Sequence, residues 1–188
     1  RTAVKSGHSL SKDWAAGIIA LQWLLTFHPS KVVCTAPKFE QVKKIIFEEI
    51  AKQFHRLQEM SPFPIEGDPL TKTGLQFGPE WYAFGMTVRE TGAGMGKFMG
   101  FKSPNLLLIM TEAQDIPDNI YDQTYGLITS SNYAILEIGN PILTSGRFWE
   151  HCTNPKWGYN VLTMSCLDSP NVVEGYEKIP GLVTKEWI

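Results

Sequence analysis

The sequence predicts an α/β domain with a mainly parallel central sheet flanked by helices. Three observations carry this prediction. Short β-branched or apolar runs alternate along the chain with longer stretches of helical periodicity. In the run NLLLIM at 105–110 the five residues after Asn105 are continuously apolar, as befits a central strand buried on both faces. And 43% of the residues are apolar, with six Trp and ten Phe, enough to build a core and too many for a disordered chain.

Taken in order, residues 2–5 read as a strand, 7–11 as a small-residue turn, and 12–27 as a helix apolar nearly all round, hence central. KVVCT at 31–35 is a β-branched strand closed by Ala36-Pro37. From Phe39 the apolar positions Val42, Ile46, Ile50, Phe54 and Leu57 step by three or four, predicting one amphipathic helix with a lysine-rich outer face. A Pro-rich loop at 60–72 precedes strands at 74–77 and 81–88. The glycine-rich stretch 91–101 reads as a mobile loop or a plain hairpin. After the 105–110 strand come a helix at 117–127 with Pro at its start and a strand at 133–138 stopped by Gly139-Asn140-Pro141. A short helix at 146–151, a strand at 160–165 and a loop-like tail from 168 complete the chain. Strands alternating with helices imply right-handed crossovers, and ligands of such sheets bind at the carboxyl ends of strands. The turns after Lys5, Met110 and Ile138 are therefore the places to look.

Charge and cysteine content narrow the function classes. A net charge of −2 gives no bulk attraction to nucleic acid, so any such contact needs a local patch. The longest apolar segment, 15–25, is interrupted by Gln22 and reads as a buried helix, so no membrane role is expected. Cys34, Cys152 and Cys166 have no paired spacing and fit reduced thiols of a cytosolic protein. A strand is already under way at Arg1, so the chain is expected to be a domain trimmed from a longer protein.

Three sites carry chemistry. The turn Ser6-Gly7-His8-Ser9-Leu10-Ser11-Lys12-Asp13 lies between a strand and a helix, where backbone N–H groups and the helix dipole hold phosphate and Lys12 reaches the β- and γ-phosphates. Ser6 and Ser11 stand where such loops have glycine, and Asp13 where they have a hydroxyl. Read alone, the same string also fits a turn that caps a buried helix. The second site is the apolar strand ending in Thr111-Glu112, which delivers a carboxylate able to orient and polarise an attacking water. Thr111 takes the position of a metal-binding aspartate. Asp13 and Thr111 together then preserve one carboxylate and one hydroxyl, with Asp13 serving Mg²⁺ and Thr111 holding a water of its shell. The third site is Asn140, whose amide at the end of the next strand is placed to sense a γ-phosphate; read alone, it is a turn residue.

These strings resemble the large terminase subunit of phages. SGHSLSKDW looks like its Walker A turn through Trp14, and VVCTAPKFEQVKKIIFEEI like its second strand and helix. LLLIMTEAQDIPDNIYD is similar to its Walker B region, AILEIGNPILTSGRFWE to its coupling motif, and CLDSPNVVEGYEKIPGLVTKEWI to the stretch before its nuclease domain. The similarity covers nearly the whole chain and fades between about 60 and 100. It implies a P-loop NTPase of the ASCE type that binds ATP and Mg²⁺ and drives double-stranded DNA into a procapsid. It further implies a homo-oligomeric ring on the portal protein, recruitment by the small terminase subunit, and action in the host cytoplasm. By position, residues 6–14 are cofactor-binding, Lys12 is the phosphate lysine, Glu112 the hydrolytic glutamate and Asn140 the coupling residue. His8 sits where many terminases carry an arginine, and an imidazole is only partly charged near neutral pH. A ring implies a trans-acting arginine, for which Arg89 and Arg147 are both open. The resemblance places residues 1–166 in the ATPase domain and 167–188 in a linker-like tail toward a nuclease domain. Asp168 and Glu174 therefore carry no nuclease role. The adenine-contacting segment of the family precedes the first strand, so weak nucleotide binding is expected of this chain.

Other readings remain beside this one: a helicase-like ATPase acting on nucleic acid, or a degenerate nucleotide-binding or ring-assembly module. His28, His55 and His151 lack metal-ligand spacing and read as core or surface residues. Lys38, Lys43, Lys44, Lys52 and Arg56 are interleaved with Glu48, Glu49 and Glu59, as on a solvated helix face.

Overall fold

Strand and helix alternate as expected in the computed structural model, which describes the chain except Glu66, Lys72, residues 88–101 and Ser130, with residues 68–71 described by their backbone. In chain order the elements are β1 (Thr2–Ser6), α1 (Lys12–Thr26), β2 (Lys31–Thr35) and α2 (Phe39–Gln41). A π-helical stretch, Val42–Phe47, leads into α3 (Glu48–Met60), followed by β3 (Asp68–Thr71), β4 (Gly74–Gly78) and β5 (Trp81–Met86). Then come β6 (Asn105–Thr111), α4 (Asp118–Tyr125), β7 (Asn132–Gly139), α5 (Arg147–Thr153), β8 (Asn160–Met164) and α6 (Pro170–Glu174).

The described strands form one eight-stranded sheet in the order β3-β4-β5-β2-β6-β7-β1-β8. From β5 to β8 every neighbouring pair is parallel, while β3, β4 and β5 form an antiparallel meander at one edge. The alternation of side chains along a strand divides the core in two. Leu107 and Ile109 of β6 join Ala16, Ala20, Leu24, Ile46, Ile50 and Phe54 beneath α1 and α3. Leu106, Leu108 and Met110 point the other way, toward Ile116, Ile120, Tyr121 and Phe148. Burial on both faces is why β6 reads as an unbroken apolar run. No helix among the described residues is long and apolar enough to cross a membrane.

The structure corrects the sequence reading in four places. α1 is not buried all round: it packs on the sheet beside α3, and Trp14, Ile19 and Leu25 are exposed. The helix expected from Phe39 onward is interrupted by the π-helical stretch, whose Val42 and Phe47 press on β5 at Gly85, where a Cβ would stand 2.3 Å from Val42 Cγ1. The loop expected at 60–72 contains β3. The tail is not loop-like throughout, because α6 and flanking 3₁₀ turns order it. The glycine-rich stretch 91–101 lies outside the described residues, as does Arg89.

Candidate active site

β1, β6 and β7 run parallel, so their carboxyl ends meet at one edge of the sheet. The turn after β1 is tight. Ser9 and Ser11 adopt left-handed conformations, with φ of 50° and 57°, where an L side chain costs energy that glycine does not. Gly7 is needed for space: a Cβ there would lie 2.3 Å from Cys166 Sγ, and its N–H bonds the carbonyl of Met164 at 3.0 Å. Ser6 is fully buried and its hydroxyl donates to the Gly7 carbonyl at 3.0 Å, while Leu10 is buried and Trp14 is 46% exposed. The 15-residue α1 begins at Lys12 and directs the free N–H groups of its first turn to this edge.

Lys12, Glu112 and Asn140, separated widely in sequence, come together here. Lys12 is 8% exposed, and its ammonium donates to Asn140 Oδ1 at 3.4 Å and lies 4.0 Å from Glu112 Oε1. Asn140 Nδ2 lies 3.4 Å from both ring nitrogens of His8. Glu112 is itself left-handed, at φ 50°, and the 3₁₀ turn Ala113–Asp115 that follows swings Gln114 back over the strand ends. Gln114 Nε2 donates to Glu112 Oε2 at 2.9 Å, and its Oε1 accepts from the Asn140 backbone N–H at 3.0 Å. Left-handed non-glycine residues cluster at functional sites because the surrounding contacts hold them there.

Two side-chain oxygens of the turn and strand end are buried without a hydrogen-bond partner among the described residues: Asp13 Oδ1 and Thr111 Oγ1. Leaving such an atom unpaired costs about 1–3 kcal/mol, which a ligand or a water at either oxygen would offset. Burial pushes the Asp13 carboxyl above its ordinary value; Lys12 opposes the rise, and Glu112 and Glu49 add to it. A carboxylate and a hydroxyl oxygen of this kind fit Mg²⁺, which is commonly held by one or two protein oxygens together with phosphates. No cluster of three or more His, Cys, Asp or Glu lies together among the described residues.

Residues 167–188 also reach this edge. Val183 N–H donates to the Ser9 carbonyl at 3.0 Å, and Trp187 meets the His8 ring edge-on at 5.8 Å. A cavity of about 760 Å³ lies between the turn, Lys44, Glu49 and the tail segment around Pro180. Arg147 is already engaged: it bonds Asp122 Oδ1 at 3.0 Å and covers the Trp157 ring at 4.9 Å. Two groups were missed in the sequence. Gln114 lies within the Walker B-like string but has no periodicity to mark it. Glu137 is the charged residue inside the apolar strand YAILEI, and that oddity was a usable signal: it is fully buried against His151 Nδ1 at 2.8 Å and the Tyr159 hydroxyl.

A mainly parallel α/β sheet with a strand–turn–helix and polar side chains converging at strand ends belongs to the class of open α/β sheets, whose ligand sites lie at the carboxyl ends of the strands. Comparison with known proteins narrows this. The chain is 25% identical over 150 residues to a probable terminase large subunit of Enterobacteria phage P7, covering 79% of this chain and 30% of that protein. The fold is that of the large terminase from a thermophilic bacteriophage. One crystal form of that terminase superposes with a TM-score of 0.63 at 8% identity, over 86% of this chain and 38% of that one. Its complex with ADP superposes with a TM-score of 0.65 at 11% identity, over 93% and 43%. The chain thus spans less than half the length of these relatives. No protein-family model matches it.

Proposed function

We propose that this chain is the ATP-hydrolysing part of a phage terminase large subunit, coupling hydrolysis to movement of double-stranded DNA into a procapsid. The observation that carries the reading is the circuit joining Lys12 of the turn to Glu112 and Asn140 at two strand ends. The likeness to an ADP-bound large terminase supports a nucleotide as the ligand. In this reading the first-turn N–H groups of α1 and the Lys12 ammonium bind the β- and γ-phosphates. Lys12 gives up Asn140 and Glu112 as its partners when phosphate arrives. Glu112 then orients a water and takes its proton, and the freed Asn140 amide faces the γ-phosphate. Asp13 Oδ1 and Thr111 Oγ1 would hold Mg²⁺, whose contribution is to neutralise phosphate charge. The step is mostly positioning and electrostatic stabilisation of a loose transition state. The same reading brings a portal protein, a small terminase subunit and a homo-oligomeric ring as partners in the host cytoplasm.

Phosphate release from ATP with Mg²⁺ tests it, with and without double-stranded DNA. Glu112→Ala is expected to slow turnover by roughly a hundredfold or more. Equal rates for the two proteins would overturn the reading.

A further inference from the structure

We infer that Gln114 is a positioning residue that locks the hydrolytic carboxylate to the amide-bearing strand end, so that Glu112 and Asn140 respond to nucleotide as one unit. This deepens the reading of Glu112 as the base and rests on it. The carboxamide has one donor end and one acceptor end, and it uses both. Nε2 donates to Glu112 Oε2 at 2.9 Å and to Asp115 Oδ2 at 3.1 Å. Oε1 accepts from the Asn140 N–H at 3.0 Å. With Lys12 between Asn140 Oδ1 and Glu112 Oε1, the four residues close a ring through the backbone of Asn140. The fit is built into the neighbouring strand: a Cβ on Gly139 would stand 2.5 Å from Gln114 Oε1, so only glycine leaves the carboxamide its place. On the other side, the left-handed Glu112 and its 3₁₀ turn aim Gln114 at β7. A glutamate at 114 keeps the acceptor for Asn140, loses the donor to Glu112 and sets a second negative charge beside it. Methionine keeps the side-chain length and loses both ends.

The test compares Gln114→Met, Gln114→Glu and Glu112→Ala with the unaltered chain, using ATP and Mg²⁺. Gln114→Met is expected to lower kcat by roughly ten- to a hundredfold, the scale of a small misplacement of a catalytic group. KM and the ADP dissociation constant should stay within about twofold, and the thermal midpoint within a few degrees. Hydrogen exchange gives a readout that needs no turnover. The Asn140 amide should exchange faster in Gln114→Met and stay protected in Gln114→Glu, although both are slow enzymes. Turnover sensitive to Glu112→Ala but not to Gln114→Met would overturn this inference alone. So would a kcat loss matched by an equal loss of ADP affinity, or unchanged exchange at Asn140. Turnover indifferent to Glu112→Ala would sink the reading of the base, and this inference with it.

Discussion

Asp13 stands at the second position of α1 with one oxygen buried and unpartnered. Desolvation raises its carboxyl above the ordinary 3.8, with Lys12 the main opposing influence. A raised carboxyl binds its proton more tightly in the folded chain than in the unfolded one. Stability from this group is therefore lost as pH climbs from about 3.8 through the raised value, and the charged carboxylate is a net cost at neutral pH. Asp13→Asn should then give a higher thermal midpoint than the unaltered chain at pH 7 in the absence of Mg²⁺. The difference should vanish toward acid pH, where both side chains are neutral. With ATP and Mg²⁺ the order should reverse, because the asparagine cannot offer a charged oxygen to the cation. Thermal melts across pH, with and without Mg²⁺-nucleotide, check both halves. Lys12, Glu112 and Asn140 were legible in the sequence because each sits in a local pattern, a turn or a strand end. Gln114 was not, because its meaning comes from Asn140, 26 residues away.

Among the elements, β6 and β7 were legible from apolar runs, while the helix after β2 shows where pattern reading stops. Val42, Ile46, Ile50 and Phe54 are all buried, and they succeed one another by four. Three steps of four carry an ideal α-helix roughly 120° away from its starting face. The π-helical stretch at Val42–Phe47, with more residues per turn, takes up part of that drift. The periodicity thus announced a helix and a buried face, but not the change of pitch that keeps the face against the sheet. α4, α5 and β7 are joined by polar contacts that no periodicity announces. Glu137 of β7 accepts from His151 Nδ1 at 2.8 Å and from the Tyr159 hydroxyl, and Tyr125 of α4 meets His151 Nε2 at 2.9 Å. Removing one partner of a buried pair leaves the other unsatisfied, at a cost of about 3–5 kcal/mol. His151→Ala should accordingly lower the thermal midpoint by roughly 10 °C, whereas Glu137→Gln, which still offers an acceptor, should cost less. Circular dichroism melts of the two variants decide the order.

At the scale of the whole molecule, the question is whether residues 167–188 fold as part of the sheet domain or as a separate unit leaning on it. The tail is organised around Asn171, which is fully buried. Its Nδ2 donates to the carbonyls of Ile179 at 2.9 Å and Leu182 at 3.1 Å, and its Oδ1 accepts from the Ile179 N–H at 2.8 Å. The Ser169 hydroxyl donates to the Val183 carbonyl at 3.0 Å, and Val183 N–H in turn reaches Ser9. These bonds hold the tail to itself and to the turn after β1, while the two large apolar clusters of the sheet contain no tail residue. Stability is not uniform across a fold, and a segment outside the main core opens on its own. Asn171→Ala removes three hydrogen bonds, each worth about 0.5–1.5 kcal/mol net. If the boundary near 166 is a true division, the variant should keep the thermal midpoint of the sheet domain within a few degrees. Amides 176–188 should then exchange much faster and the tail become protease-sensitive. ADP affinity should also fall, because Ser9 loses its tie to Val183 and His8 its contact with Trp187. A midpoint that drops together with tail protection would instead make residues 1–188 one cooperative unit, with the tail part of the sheet domain.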